Sequence, residues 1–277
     1  MTRNESEVRS PKSLGPSAVL RLIVRNELFA DKHDYSKYDL WLHLAEGLKV
    51  KNLTLIPMLI PNEAKNEGLK TAFPEGRRRK RLYCFLQFCL VPNRRSITRL
   101  REFLCDEPFE YHPFRVDDDK GFQDGSWDAY FRSVPREWLC DAAILIDPDT
   151  GLETNSGRSQ PQKYITYKNV ATVVNRCSGS SVVVVVQFLQ KNAFLREGDL
   201  NGKARILDKE LRSAPQEPTP VHWIAEKTTR GLGELAFFVI SAHADGSNGV
   251  ERLLNVYARK HDQQVGTVKG VQRIATR

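Results

Sequence analysis

Ala142-Ala143-Ile144-Leu145-Ile146-Asp147-Pro148-Asp149-Thr150-Gly151-Leu152-Glu153 is a short apolar run that stops abruptly on an acidic turn. A run of this length, bounded by turn chemistry, reads as a buried strand. Downstream, positions 182–186 are all valine, the pattern of a strand covered on both faces. Between the two, residues 167–177 place Val170, Val173 and Val174 on one face of a helix. Another helix is expected over residues 203–213, and Pro218 and Pro220 then break the chain before a strand at 221–225. Arg230-Gly231-Leu232-Gly233 reads as a turn into a strand at 235–241, followed by an amphipathic helix over 248–259 with Val250, Leu253, Leu254 and Tyr257 inward. Helical connections imply parallel neighbouring strands, whereas the short turn forces the last two antiparallel. The expected fold is therefore α/β and Rossmann-like, a mostly parallel sheet with a terminal antiparallel hairpin.

The amino-terminal half is less regular. Residues 37–48 predict a helix with Tyr38, Trp41, Leu44, Ala45 and Leu48 on one face, Asp34 or Ser36 as cap, and Gly47 near its stop. Residues 53–60 read as a strand closed by Pro61 and Asn62, and Pro57 is expected to end it or to impose a bulge. A basic run opens the next helix, whose inward stripe is Leu82, Phe85, Leu86 and Cys89; Ser96 caps a further one near 96–105. Residues 106–125 are polar and broken by proline and glycine, and Ser126 is placed to cap a helix carrying Trp127, Tyr130 and Phe131. The reading gives a polar arm over residues 1–17, one α/β domain over 18–262, and a weakly patterned tail over 263–277.

The chain of 277 residues is long enough for a deep core and has the composition of a soluble protein. Residues 1–16 lack the apolar centre of a signal peptide and the longest apolar run is too short to cross a bilayer, so the expected location is cytoplasmic, without membrane contact. The five cysteines lack the close pairs of a zinc site and read as reduced thiols. Net charge is +8, unevenly spread. Arg77, Arg78, Arg79, Lys80 and Arg81 are consecutive, Arg94, Arg95, Arg99 and Arg101 follow, and an acidic stretch comes next. A solvated surface explains five adjacent cations less well than scattered ones, and contact with a phosphate backbone or another anion is the competing reading.

The acidic turn at the end of a sheet strand, followed by the helix–strand–hairpin order, resembles the second half of class I methyltransferases. Amino-group DNA methyltransferases carry an Asp/Asn-Pro-Pro-aromatic motif at that place, where this chain has Asp147-Pro148-Asp149. The chain also resembles a bacterial family of unassigned activity with a Lys-Tyr-Asp-Leu-Leu-like helix and a Leu-Asp-Pro-Asp-Asn-Gly-Leu-like turn. The matching residues are Lys37-Tyr38-Asp39-Leu40-Trp41 and Ile146-Asp147-Pro148-Asp149-Thr150-Gly151-Leu152. The first resemblance implies S-adenosylmethionine as cofactor. The glycine-rich bend that follows the first strand of such enzymes has no counterpart: Pro61-Asn62-Glu63-Ala64 stands there, and Gly68 is the next glycine.

Carboxylates beyond the carboxyl end of a sheet strand lie where open α/β sheets bind ligands, which makes Asp147 and Asp149 the candidate catalytic pair. Turn stabilisation is the competing role for Asp149. Glu153 adds a third oxygen donor, and Asp147, Asp149 and Glu153 together form a candidate Mg²⁺ site. With Gln187 and Lys191 they suggest a metal-dependent nuclease, although a restriction-type motif would space the last two more closely. Lys37 and Asp39 are expected on a helix over the sheet edge near Asp147, as cofactor-binding residues. Arg158, in the loop with Asn155, Ser156 and Gly157, joins residues 77–81 as a candidate phosphate contact. His112, His222 and His243 lack metal spacing. The leading expectation is a nucleic-acid-associated protein of methyltransferase-like fold. A Mg²⁺-dependent nuclease or phosphoesterase and a non-catalytic binding protein are the alternatives.

Overall fold

The structure is a computed structural model and describes residues 29–59, 79–91, 94–116, 127–154, 163–189, 196–213, 219–228, 231–261 and 263–268. The helices are α1 (Lys32–Leu48), α2 (Lys80–Cys89), α3 (Leu100–Leu104), α4 (Trp127–Arg132), α5 (Tyr167–Val174), α6 (Arg196–Leu211) and α7 (Ala244–His261). The strands are β1 (Asn52–Pro57), β2 (Glu110–Pro113), β3 (Ala142–Asp147), β4 (Gly151–Leu152), β5 (Tyr164–Ile165), β6 (Val182–Phe188), β7 (Val221–Thr228), β8 (Gly231–Ser241) and β9 (Gln263–Val268).

Seven strands form one mixed sheet in the order β2-β1-β3-β6-β8-β7-β9, while β4 and β5 pair separately. The first four are mutually parallel, joined in register such as Leu55↔Leu145 and Leu145↔Val184. β8 runs antiparallel to β6 and β7, and β9 runs antiparallel to β7. The expected hairpin is thus present, but it is not terminal: β8 inserts between β6 and β7, and β9 forms the edge.

Side chains alternate across a strand, and here both faces of the sheet are buried. Leu53, Leu55, Ala143, Leu145, Val182 and Val184 pack against α1, α2, α3 and α7. Ile56, Ala142, Ile144, Ile146, Val183 and Val185 pack against α4, α5 and α6. The valine run carries no polar position because neither of its faces meets water.

Pro57 is the last residue of β1, opposite Asp147, so its missing N–H removes nothing from the ladder interior. The strand stops there and does not extend to 60. α1 starts at Lys32, earlier than the apolar stripe indicates, because Asp31 caps it by accepting from the backbone N–H of His33 and Asp34 at 2.8 and 3.0 Å. Gly47 does not stop this helix; Lys49 does, in the left-handed conformation with φ 55°. The absent side chain at Gly47 instead admits Leu253 of α7, which a Cβ would meet at 2.3 Å. Two strands lie where the sequence predicts none: β2 within the polar stretch broken by proline and glycine, and β9 in the weakly patterned tail, so the sheet continues past residue 262.

Candidate functional site

Asp147 closes β3 beside the end of β1, and its carbonyl accepts from Met58 N–H at 3.0 Å. The chain proceeds from this pair of strands outward in both directions, to β2 on one side and β6 on the other. Open α/β sheets bind ligands in the crevice at such a switch point. Here α1 lies over it. Lys37 Nζ donates to Asp147 Oδ2 at 2.9 Å and to Asp34 Oδ1 at 3.1 Å, and Asp34 Oδ2 accepts from Ala30 N–H at 2.8 Å. The Phe188 ring at the end of β6 lies 5.5 Å from the same ammonium.

The cluster is crowded with negative charge. Burial pushes the Asp34 carboxyl up to about 6, with Lys37 pulling it down and Asp31 pushing it further up. Burial also raises Asp147 and Asp31, in each case against the pull of Lys37. Burial alone would depress the Lys37 ammonium, but Asp147, Asp34 and Asp31 together hold it above the ordinary lysine value. The partners shift in apparently opposed senses because three carboxylates share one cation. Lysine gains from all of them, whereas each acid bears its own desolvation and its neighbours' repulsion. The hydroxyl of Tyr38, one turn along α1, is buried without a hydrogen-bond partner and is pushed well above the usual phenol range by burial, then by Asp34 and Asp147.

The turn after β3 is held from below. Gly151 adopts φ +129°, and a Cβ there would meet the Gln187 amide at 2.6 Å. Gln187 Oε1 accepts from Leu152 N–H at 3.0 Å, and its Nε2 donates to Phe188 O at 2.7 Å. Gln187 is therefore committed to the turn, and Lys191 lies outside the described residues. Glu153 turns away from Asp147: its Oε1 accepts from Tyr167 N–H at 3.1 Å, at the start of α5. Asp149 is half-buried in the turn itself. Among the described residues no group of three or more His, Cys, Asp or Glu is placed to hold a metal ion. Asp147, Asp149 and Glu153, close in sequence, are not assembled as a metal site: Lys37 takes the first and the α5 backbone takes the last.

Lys37 and Asp39 part company. Two positions on a helix face different ways, and Asp39 points from α1 toward α7 and α2. It accepts from Tyr257 Oη at 2.8 Å and lies 3.4 Å from Arg79 Nε. Lys37 stands over the sheet edge as expected; Asp39 does not. Arg79 also makes a two-pronged pair with Glu46, and Arg81 bridges Asp106 and Glu107 at 3.1 Å each. Carboxylates thus engage both of these arginines, while Lys80 is exposed. Arg77, Arg78 and Arg158 lie outside the described residues. His222 is buried, with Nδ1 2.9 Å from Thr267 Oγ1, and His112 stacks on Trp138. All five cysteines are free thiols.

Asp34, which sequence offers as a helix cap within a polar cluster with Asp31, His33 and Lys37, joins the site as a partner of Lys37 instead, and Tyr38 and Phe188 join it without a sequence signal.

No family model matches this chain, and no curated protein does. Among solved structures it is similar to a Legionella pneumophila protein described as a DUF519 member. The match has 12% identity, covers 88% of this chain and 98% of that one, and reaches a TM-score of 0.40. No helix among the described residues is long and apolar enough to cross a membrane.

Proposed function

We propose that this chain is a S-adenosylmethionine-binding protein of the class I methyltransferase type, with the Asp147 turn facing the methyl acceptor. The observation that carries the reading is the sheet order. An acidic turn ends the strand beside β1, and an antiparallel strand, β8, inserts between β6 and β7. That is the order in which class I methyltransferases arrange their first, fourth, fifth, seventh and sixth strands.

The residues at the switch point suit the charge of such a ligand. Asp31, Asp34 and Asp147 surround the single ammonium of Lys37, and the buried Tyr38 hydroxyl has no partner. Burial first, and then the neighbouring carboxylates, raise these acids, and a cationic group brought into the crevice offsets both. S-adenosylmethionine carries both an ammonium and a sulfonium. When bound it supplies an electrophilic methyl group; Lys37 orients Asp147, and Asp147 and Asp149 hold the donors of the acceptor. The nuclease alternative has no comparable support, since Glu153 is committed to the start of α5 and no group of three His, Cys, Asp or Glu is placed to hold a metal among the described residues.

Calorimetric titration with S-adenosylmethionine tests the reading. Binding in the micromolar range that weakens at least tenfold in Asp147→Asn is expected. Absence of both heat and thermal stabilisation in the wild-type chain would overturn it.

A further inference from the structure

The face of α2 and α3 carries a second arrangement, independent of the switch point. Arg81, Cys84 and Phe88 follow one another at helical spacing along α2, so they share a face. Phe88 is 46% exposed and Val91 is 46% exposed; Ile206 is the other large exposed apolar side chain among the described residues. Arg94 lies over the Phe88 ring with its guanidinium 4.1 Å from the ring centre, and Arg99 approaches at 5.4 Å. At the other end of the strip, a shallow groove of about 460 Å³ is lined by Lys80, Arg81, Cys84, Phe85, Glu102 and Phe103. Its floor is the stacked pair Phe85–Phe103, with ring centres 5.3 Å apart and planes 28° from parallel.

Charge selects the occupant. Residues 79–91 and 94–107 carry seven basic and three acidic side chains. The acids are engaged locally: Glu102 by Arg99, and Asp106 and Glu107 by Arg81. Lys80, at the groove, and Arg101, on α3, are exposed. An exposed aromatic ring flanked by guanidinium groups suits a polyanion that also presents flat, stackable rings. A lone phosphate would not use Phe88, and an apolar protein surface would not use the excess cations.

We propose that this strip binds single-stranded nucleic acid, with Phe88 and its guanidinium neighbours as a stacking platform and Lys80 and Arg101 as phosphate contacts. Along α2, Arg81 and Phe88 are separated by about 10 Å, room for two or three nucleotides between the groove and the platform.

The test is fluorescence anisotropy of a labelled single-stranded oligonucleotide of about 12 nucleotides, with the full chain and no S-adenosylmethionine present. Omitting the cofactor keeps the outcome separate from the methyltransferase reading. Phe88→Ala is expected to weaken binding about 5- to 50-fold while leaving the thermal melt unchanged, as its exposure allows. The double variant Lys80→Glu and Arg101→Glu should flatten the dependence of log K on log salt by about 1 to 2. No binding by the wild-type chain at about 100 mM salt, or equal affinity in Phe88→Ala, would overturn the proposal. Preferential binding of anionic phospholipid vesicles, lost in Phe88→Ala, would also overturn it and assign the strip to a membrane surface.

Discussion

Lys37 and Arg81 each stand between two carboxylates, and the two arrangements differ mainly in water. Around Lys37 the side chains are 9% exposed, with Asp34 at 7% and Asp147 at 13%. Around Arg81 the arginine is 58% exposed and Asp106 is 70% exposed. In the first, charges sit in a poorly screening interior where removing one partner leaves the others uncompensated. In the second, solvent screens the attraction and the long side chains lose freedom to hold it. The sheet edge therefore carries a charge arrangement that its surroundings must support, whereas the α2 face carries charges that remain available to a partner. The contrast is the basis of the two proposals, a small ligand at the sheet edge and an extended polymer on the α2 face.

The largest effect is expected from Lys37→Met, which leaves Asp34 and Asp147 buried without a cation. It should cost about 3–5 kcal/mol in urea unfolding at neutral pH. A loss below about 1 kcal/mol would put Lys37 in the same class as Arg81 and break the comparison.

Next comes the pH dependence of Asp34. Its folded value, about 6, lies above the ordinary 3.8, so the folded state binds the proton more tightly. Its stabilising contribution is fully present below pH 3.8 and is lost as pH rises through about 6. Asp34→Asn removes this titration. The stability difference between variant and wild type should change by about 3 kcal/mol across that window, followed by denaturant melts at successive pH values. An unchanged difference would mean that Asp34 is solvated.

Gly151→Ala sharpens the comparison at the turn, where backbone rather than charge is constrained. With φ +129° and the Gln187 amide in the way, about 2 kcal/mol of destabilisation is expected in the same assay. Gln187→Ala should relieve the collision but not the backbone strain, so partial rescue is the expected outcome of the double variant. Arg81→Ala, at the other extreme, should change stability by less than about 0.5 kcal/mol. A larger loss would show that the surface pair is structurally required.

Much of the carboxyl-terminal half was legible because burial on both faces leaves an unmistakable pattern. The run of valines in β6 and the apolar β3 follow from local sequence, whereas Gly231, Leu232 and Gly233, expected in a turn, lie in β8. The edge strands were not legible. β2 reads Glu-Tyr-His-Pro and β9 reads Gln-Gln-Val-Gly-Thr-Val; each pairs on one side only, so half-exposed side chains carry little pattern. The site was legible in part. Lys37 is expected near Asp147, and the structure places its ammonium 2.9 Å from that carboxylate. Asp39 stands apart from Lys37 because two residues on a helix diverge. Nearness in sequence likewise does not gather Asp147, Asp149 and Glu153 into a metal site.

By itself the sequence determined the alternation of strands and helices, the stop of β1 at Pro57 and the acidic turn after β3. Each follows from local chemistry: apolar periodicity, the lost proline N–H, and the turn preference of Asp-Thr-Gly. Only the tertiary structure decided that β8 lies between β6 and β7, and that one lysine answers three carboxylates. Those outcomes depend on contacts between residues as far apart as Lys37 and Asp147, and distant contacts leave no mark in a local pattern.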